Sequence, residues 1–128
     1  SYEIVKTISG LMNTRPDKKC TISAQQLGGY TSGISKDITS FVHRDSIWKP
    51  WITASWTAED NCSKVRSLKW LEKAWELLDP VCPGVHLAQF HHHLSWHKKE
   101  TNSAFNGWIT NLQKLKSTCD PKGILPPV

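Results

Sequence analysis

No apolar run in this chain approaches the ~18 residues needed to cross a bilayer, so nothing in it reads as a membrane span. Its four cysteines, Cys20, Cys62, Cys82 and Cys119, include no C-x-x-C pair, which removes the usual zinc-site spacing. No Lys/Arg block exceeds two adjacent residues (Lys18-Lys19, Lys98-Lys99), although the net charge is +5. Nucleic-acid binders concentrate such charge on one face; here it is spread along the chain and reads as a solvated basic surface. A P-loop, a G-x-G-x-x-G turn, a G-x-S-x-G elbow and the H-E-x-x-H or H-x-x-E-H metal patterns are all missing. The chain therefore shows no phosphate cradle of its own, no nucleophile elbow to support a Ser/His/Asp triad and no zincin helix. Internal repeats and low-complexity tracts are also absent.

What remains is one domain's worth of sequence, 128 residues with seven tryptophans. Trp combines a large apolar body with one N–H donor, so this density suits a heavy core or an aromatic binding cleft. The even cysteine count allows three disulfide pairings, and spacing does not choose among them. Asn61-Cys62-Ser63 is an N-glycosylation sequon, usable only by a secreted chain. Together these favour an oxidising, extracellular setting. No signal peptide is visible, and an opening at Ser1 is compatible with an upstream cut.

Along the chain, Ile4, Val5, Ile8 and Leu11 predict a short first helix ending near Gly10. Residues 13–19 form a charged turn. The segment from Cys20 to Gly29 alternates like a strand and is closed by Gly28-Gly29. A second strand is expected over Trp51 to Trp56, with Pro50 confining the residues before it to an edge or a bulge. Asp60 or Asn61 caps a helix to about Leu78, with Val65, Leu68, Leu71, Trp75 and Leu78 as its apolar stripe, and Asp79-Pro80 stops it. Val85 to Trp96 reads as a strand and Lys98 to Ser103 as a polar linker. A last helix, striped by Phe105, Trp108, Ile109, Leu112 and Leu115, runs to about Thr118. This order predicts an α+β fold: a mainly antiparallel sheet with helices packed on one face.

Two stretches carry candidate chemistry. On the Trp51–Trp56 strand, Trp51, Thr53 and Ser55 share a face that is aromatic and hydroxyl-bearing, against an aliphatic face of Ile52, Ala54 and Trp56. The run His91-His92-His93 puts two imidazoles on one side of a strand and one on the other. These groups titrate near neutrality and suit proton transfer or metal ligation. His43-Arg44 places a cation where an anionic group can meet it; a salt bridge of Arg44 to Asp45 or Asp37 is the competing expectation.

Three pieces then fall in one order: Leu27-Gly28-Gly29 followed by DITSFVHRDSIW from Asp37, the strand ending in Trp56 with a helix around Trp70, and the closing LQKLKSTCDPKGIL. This arrangement resembles the C-terminal part of FAD-linked oxidases of the berberine bridge enzyme type, over roughly Ile22 to Leu125. Thr39, Phe41, His43 and Arg44 match the family's T-A-F-x-H-R segment. Leu112, Lys116, Asp120 and Pro121 match its closing helix. The chain departs from the family where Thr57 follows Trp56, at the place of a carboxylate base in plant members, and where Ile124-Leu125 replaces a final phenylalanine.

The resemblance implies the rear of a substrate domain plus the closing helix, one segment of a larger FAD-linked oxidase fold whose FAD-binding domain lies outside this chain. By position it assigns Gln89, His91 and His92 to the flavin, with His91 and His92 as catalytic candidates; Trp51, Thr53 and Ser55, or the opposite face of that strand, would line the substrate pocket. FAD would be held mainly by an N-terminal FAD-binding fragment of the same precursor, joined through an obligate interface of ~2,000 Å² or more. The substrate would be a small alcohol, sugar or similar molecule. Two alternatives stand beside this reading: a non-catalytic secreted binding module, and a metal-carrying domain built on the histidines.

Overall fold

The computed structural model describes residues 2–39, 41–82, 84 and 97–125. It divides into two compact units, Ser1–Gly28 with Ser46–Cys82, and Gly29–Asp45 with Pro83–Val128. The chain is α+β, and among the described residues the sheet is a single antiparallel pair. The expected strand over residues 85–96 lies outside the described residues.

In the first unit, α1 spans Tyr2–Asn13. It runs through Gly10 rather than ending there, because Thr14 folds its hydroxyl back onto the carbonyls of Gly10 and Leu11 and satisfies the last turn. Asp17 turns the chain, its carboxylate accepting from the Lys19 amide, and delivers Cys20 into the interior. Strand β1 (Thr21–Gln26) pairs with β2 (Trp48–Thr53) in a register that sets Ile22 opposite Ile52 and Ala24 opposite Pro50. The second strand thus begins three residues before the expected Trp51 and stops at Thr53. Pro50 is accommodated because the Leu27 amide donates to the Ile47 carbonyl. That bond makes the odd-numbered residues the hydrogen-bonded pairs of the ladder, so the missing N–H of Pro50 falls on the outer edge, where no ladder bond is lost.

Helix α2 (Asn61–Leu78) packs on α1 and β2. Asp60 is its N-cap, accepting from the Ser63 amide at 2.9 Å, as the sequence predicts. Its buried stripe is Ser67, Trp70, Leu71, Ala74 and Leu78. Relative to the expected stripe, Leu71 and Leu78 hold, while Val65 is exposed. The face has rotated toward Trp70, whose indole N–H donates to the Leu11 carbonyl at 2.9 Å. A buried Trp needs an acceptor for that N–H, and the carbonyl at the end of α1 supplies it.

In the second unit, residues 98–103 are helical, not a linker: α3 spans His97–Phe105. The segment has no apolar stripe to reveal it, but Glu100 and Ala104 lie one turn apart and both are buried. The expected continuous last helix is broken at Asn106, whose φ of 47° is left-handed, a conformation Asn tolerates better than most residues. A short 3-10 turn over Asn106–Trp108 then leads into α4 (Ile109–Cys119). Leu115, expected on the apolar stripe, is exposed.

Candidate functional site

The described residues of the stretch Asp37–Asp45, at the end of the second unit's first segment, follow one short 3-10 turn (Gly29–Gly33) and are irregular. Its side chains do the organising. Arg44 is 9% exposed, and its Nη2 donates to Thr39 Oγ1 at 2.6 Å. The guanidinium carbon sits 4.9 Å from the centre of the Phe41 ring, within cation–π range. Phe41 meets His43 edge-on, with ring centroids 6.2 Å apart. His43 Nε2 lies 3.1 Å from the Ala104 carbonyl oxygen and ties this stretch to α3. Gly84 packs so closely on the imidazole that a Cβ there would overlap the ring.

The four residues of the sequence motif therefore form one connected cluster. The anticipated salt bridges of Arg44 are not made. Asp45 pairs with Lys36, and Arg44 turns inward to Thr39 and Phe41. One donor of this buried cation, Nε, has no hydrogen-bond partner among the described residues. A buried charged donor left unmet is costly, so an acceptor for it is to be expected.

The closing motif serves the chain end. Lys116 Nζ meets Asp120 Oδ2 at 2.8 Å and also donates to the Leu125 carbonyl. The two Asp120 oxygens accept the amides of Ile124 and Leu125. The hydrogen bond from Lys116 first, and then those two amides, lower the Asp120 carboxyl to about 2. The carboxylate is enclosed by its own ligands at the periphery of the unit. The residues of the closing motif thus hold Ile124 and Leu125 against the end of α4.

In the first unit, Trp51 is half-buried on β2, with Lys49 Nζ 4.1 Å above its ring. Thr53 is exposed at the strand end. Ser55 lies beyond the strand, and its carbonyl accepts from Ser67 Oγ at 2.7 Å and from the Cys20 thiol. Trp51 and Thr53 thus share a strand face with Lys49, while the backbone of Ser55 fixes α2 and Cys20 to the end of β2. Neither this node nor the Gly84–His43 contact is legible in the sequence, because both join residues far apart in the chain. Gln89, His91 and His92 lie outside the described residues.

Asn61 is exposed at the first turn of α2. The four cysteines are free thiols; burial, and secondarily the charge of Asp79, push the Cys82 thiol up. Among the described residues, no three His, Cys, Asp or Glu side chains gather as a metal site, and no helix is long and apolar enough to cross a membrane. No protein-family model, curated protein or solved structure matches the chain.

Proposed function

We propose that this chain is the substrate-side part of a flavin-dependent oxidase, working with a separate FAD-binding chain on a small alcohol, sugar or similar substrate. The observation that supports the reading is the cluster of Thr39, Phe41, His43 and Arg44: the motif residues are joined to one another, and the buried Arg44 keeps a donor without an acceptor among the described residues. That orphan suits an electron-rich acceptor such as a ring carbonyl or an anionic ring. With no phosphate cradle in the sequence, the pyrophosphate of FAD falls to the partner chain. A flavin bound there would supply a hydride acceptor that oxygen can reoxidise. In this reading the resemblance would give Trp51, Thr53 and Ser55 to the substrate, the substrate proton to His91 or His92, and the flavin ring to Gln89. His91→Ala and His92→Ala, made in the assembled enzyme, should lower turnover by about 10²–10⁴-fold for the residue acting as base, with flavin content unchanged. Full activity in both variants removes the histidines from the mechanism.

The second reading, a secreted sugar- or small-ligand-binding module, is favoured by the Lys49–Trp51 pair, a cation over a half-buried aromatic ring on one face of β2. Aromatic faces with adjacent polar groups suit such ligands. Oxygen consumption over a panel of sugars and alcohols separates the two readings: turnover supports the oxidase, and binding without turnover supports the module.

A further inference from the structure

The two edges of the small sheet differ. On β2 the outward positions are Trp48, Pro50 and Ile52, and Pro50 has no N–H to offer. On β1 the outward positions are Ile22, Ala24 and Gln26, each presenting an N–H and a C=O. Residues 23–26 are exposed, and β1 pairs only with β2 among the described residues. Exposed edges in monomers are usually protected by a charge, a proline or a bulge. The β1 sequence, TISAQQ, has no charge and no proline, and its register with β2 is unbroken.

We infer that the β1 edge is a docking edge for a second copy of this chain, pairing antiparallel about a two-fold axis at Ala24. The outward residues make this register self-complementary. Ala24 faces Ala24 of the partner subunit and Ile22 faces Gln26 of the partner subunit, each pair exchanging both backbone bonds. Between them Ser23 sits beside Gln25 of the partner subunit, a polar pair able to hydrogen-bond on the sheet surface. The product is a four-stranded antiparallel sheet, β2-β1-β1-β2, in place of a two-stranded one, which is a marginal unit by itself. Pro50 then stands on both outer edges and stops further addition, so the assembly closes as a dimer instead of growing into a filament. The paired segments carry no charge, which keeps the +5 of each chain out of the contact.

Sedimentation velocity of the intact chain from micromolar to millimolar concentration tests this. The mass should rise with concentration to twice the 14.5 kDa of the chain. Ala24→Lys sets like charges directly opposite each other and should weaken self-association by about tenfold or more. Ala24→Pro, which removes the central outward N–H without touching a ladder bond, should do the same. Thr110→Lys, on an exposed position of α4, adds the same charge elsewhere and should dimerise like the parent chain. Far-UV circular dichroism checks that each variant keeps its secondary structure. A chain that stays single at every concentration, or a dimer that neither Ala24 variant weakens, overturns the inference. So does a different polypeptide held on this edge and released by Ala24→Lys. A colourless homodimer supports the edge while counting against the oxidase reading, so the two proposals fail separately.

Discussion

Asp120 carries the most bonds of any side chain in the second unit that the structure details: the Lys116 ammonium and the amides of Ile124 and Leu125 all converge on its carboxylate. Those partners favour the ionised form and hold the carboxyl at about 2, below its ordinary 3.8. The folded state therefore binds the proton less readily than the unfolded one. Its contribution to stability is present in full above the ordinary value and declines as pH falls toward the folded one. Followed by NMR, the Ile124 and Leu125 amides should keep their bonded shifts as pH falls through the ordinary 3.8 and lose them at about 2, and Asp120→Asn should abolish the transition. A midpoint at the ordinary carboxylate value contradicts the geometry. Arg44 is the counterpart inside the unit. Its charge was legible in the sequence, but its partners were not. The expected carboxylate Asp45 is closer in sequence than Thr39 or Phe41, and only the path of the chain sends it to Lys36.

At the scale of elements, signals that act within one turn were legible. Asp60 caps α2, Gly28-Gly29 close β1 with positive φ values, and Asp79 stands at the end of α2. Asp60→Ala removes the acceptor of the Ser63 amide and should cost about 1 kcal/mol in urea unfolding, with the m-value unchanged; no change in midpoint would show that the cap is redundant. Signals that depend on a neighbouring element were less legible. The α2 stripe rotated because Ser67 and Ala74 are small enough to let the helix approach its neighbours while Trp70 reaches Leu11. Helix α3 was hidden because its burial rests on Glu100 and Ala104 rather than on large apolar residues. β2 starts at Trp48 because Pro50 faces outward, a fact fixed by register and not by composition. Of the residues expected on one strand face, Trp51 and Thr53 stand on β2, and Ser55 lies beyond it because the strand ends at Thr53.

At the scale of the whole molecule, large apolar side chains stay in water: Tyr30 is 91% exposed, Ile38 72%, Ile47 63%, Trp48 59% and Ile124 80%. Scattered residues of this kind need no explanation, but so many on a chain of this size fit one that meets a partner. The proposal that the partner is an FAD-binding chain is tested most directly by isolating the protein from its native source without denaturant. The absorbance spectrum and the polypeptide content of the same fraction are then recorded. The account predicts flavin absorbance co-eluting with this chain and a second polypeptide, and loss of that absorbance when the two are separated. A colourless preparation containing this chain alone, stable and cooperative in unfolding, would contradict it.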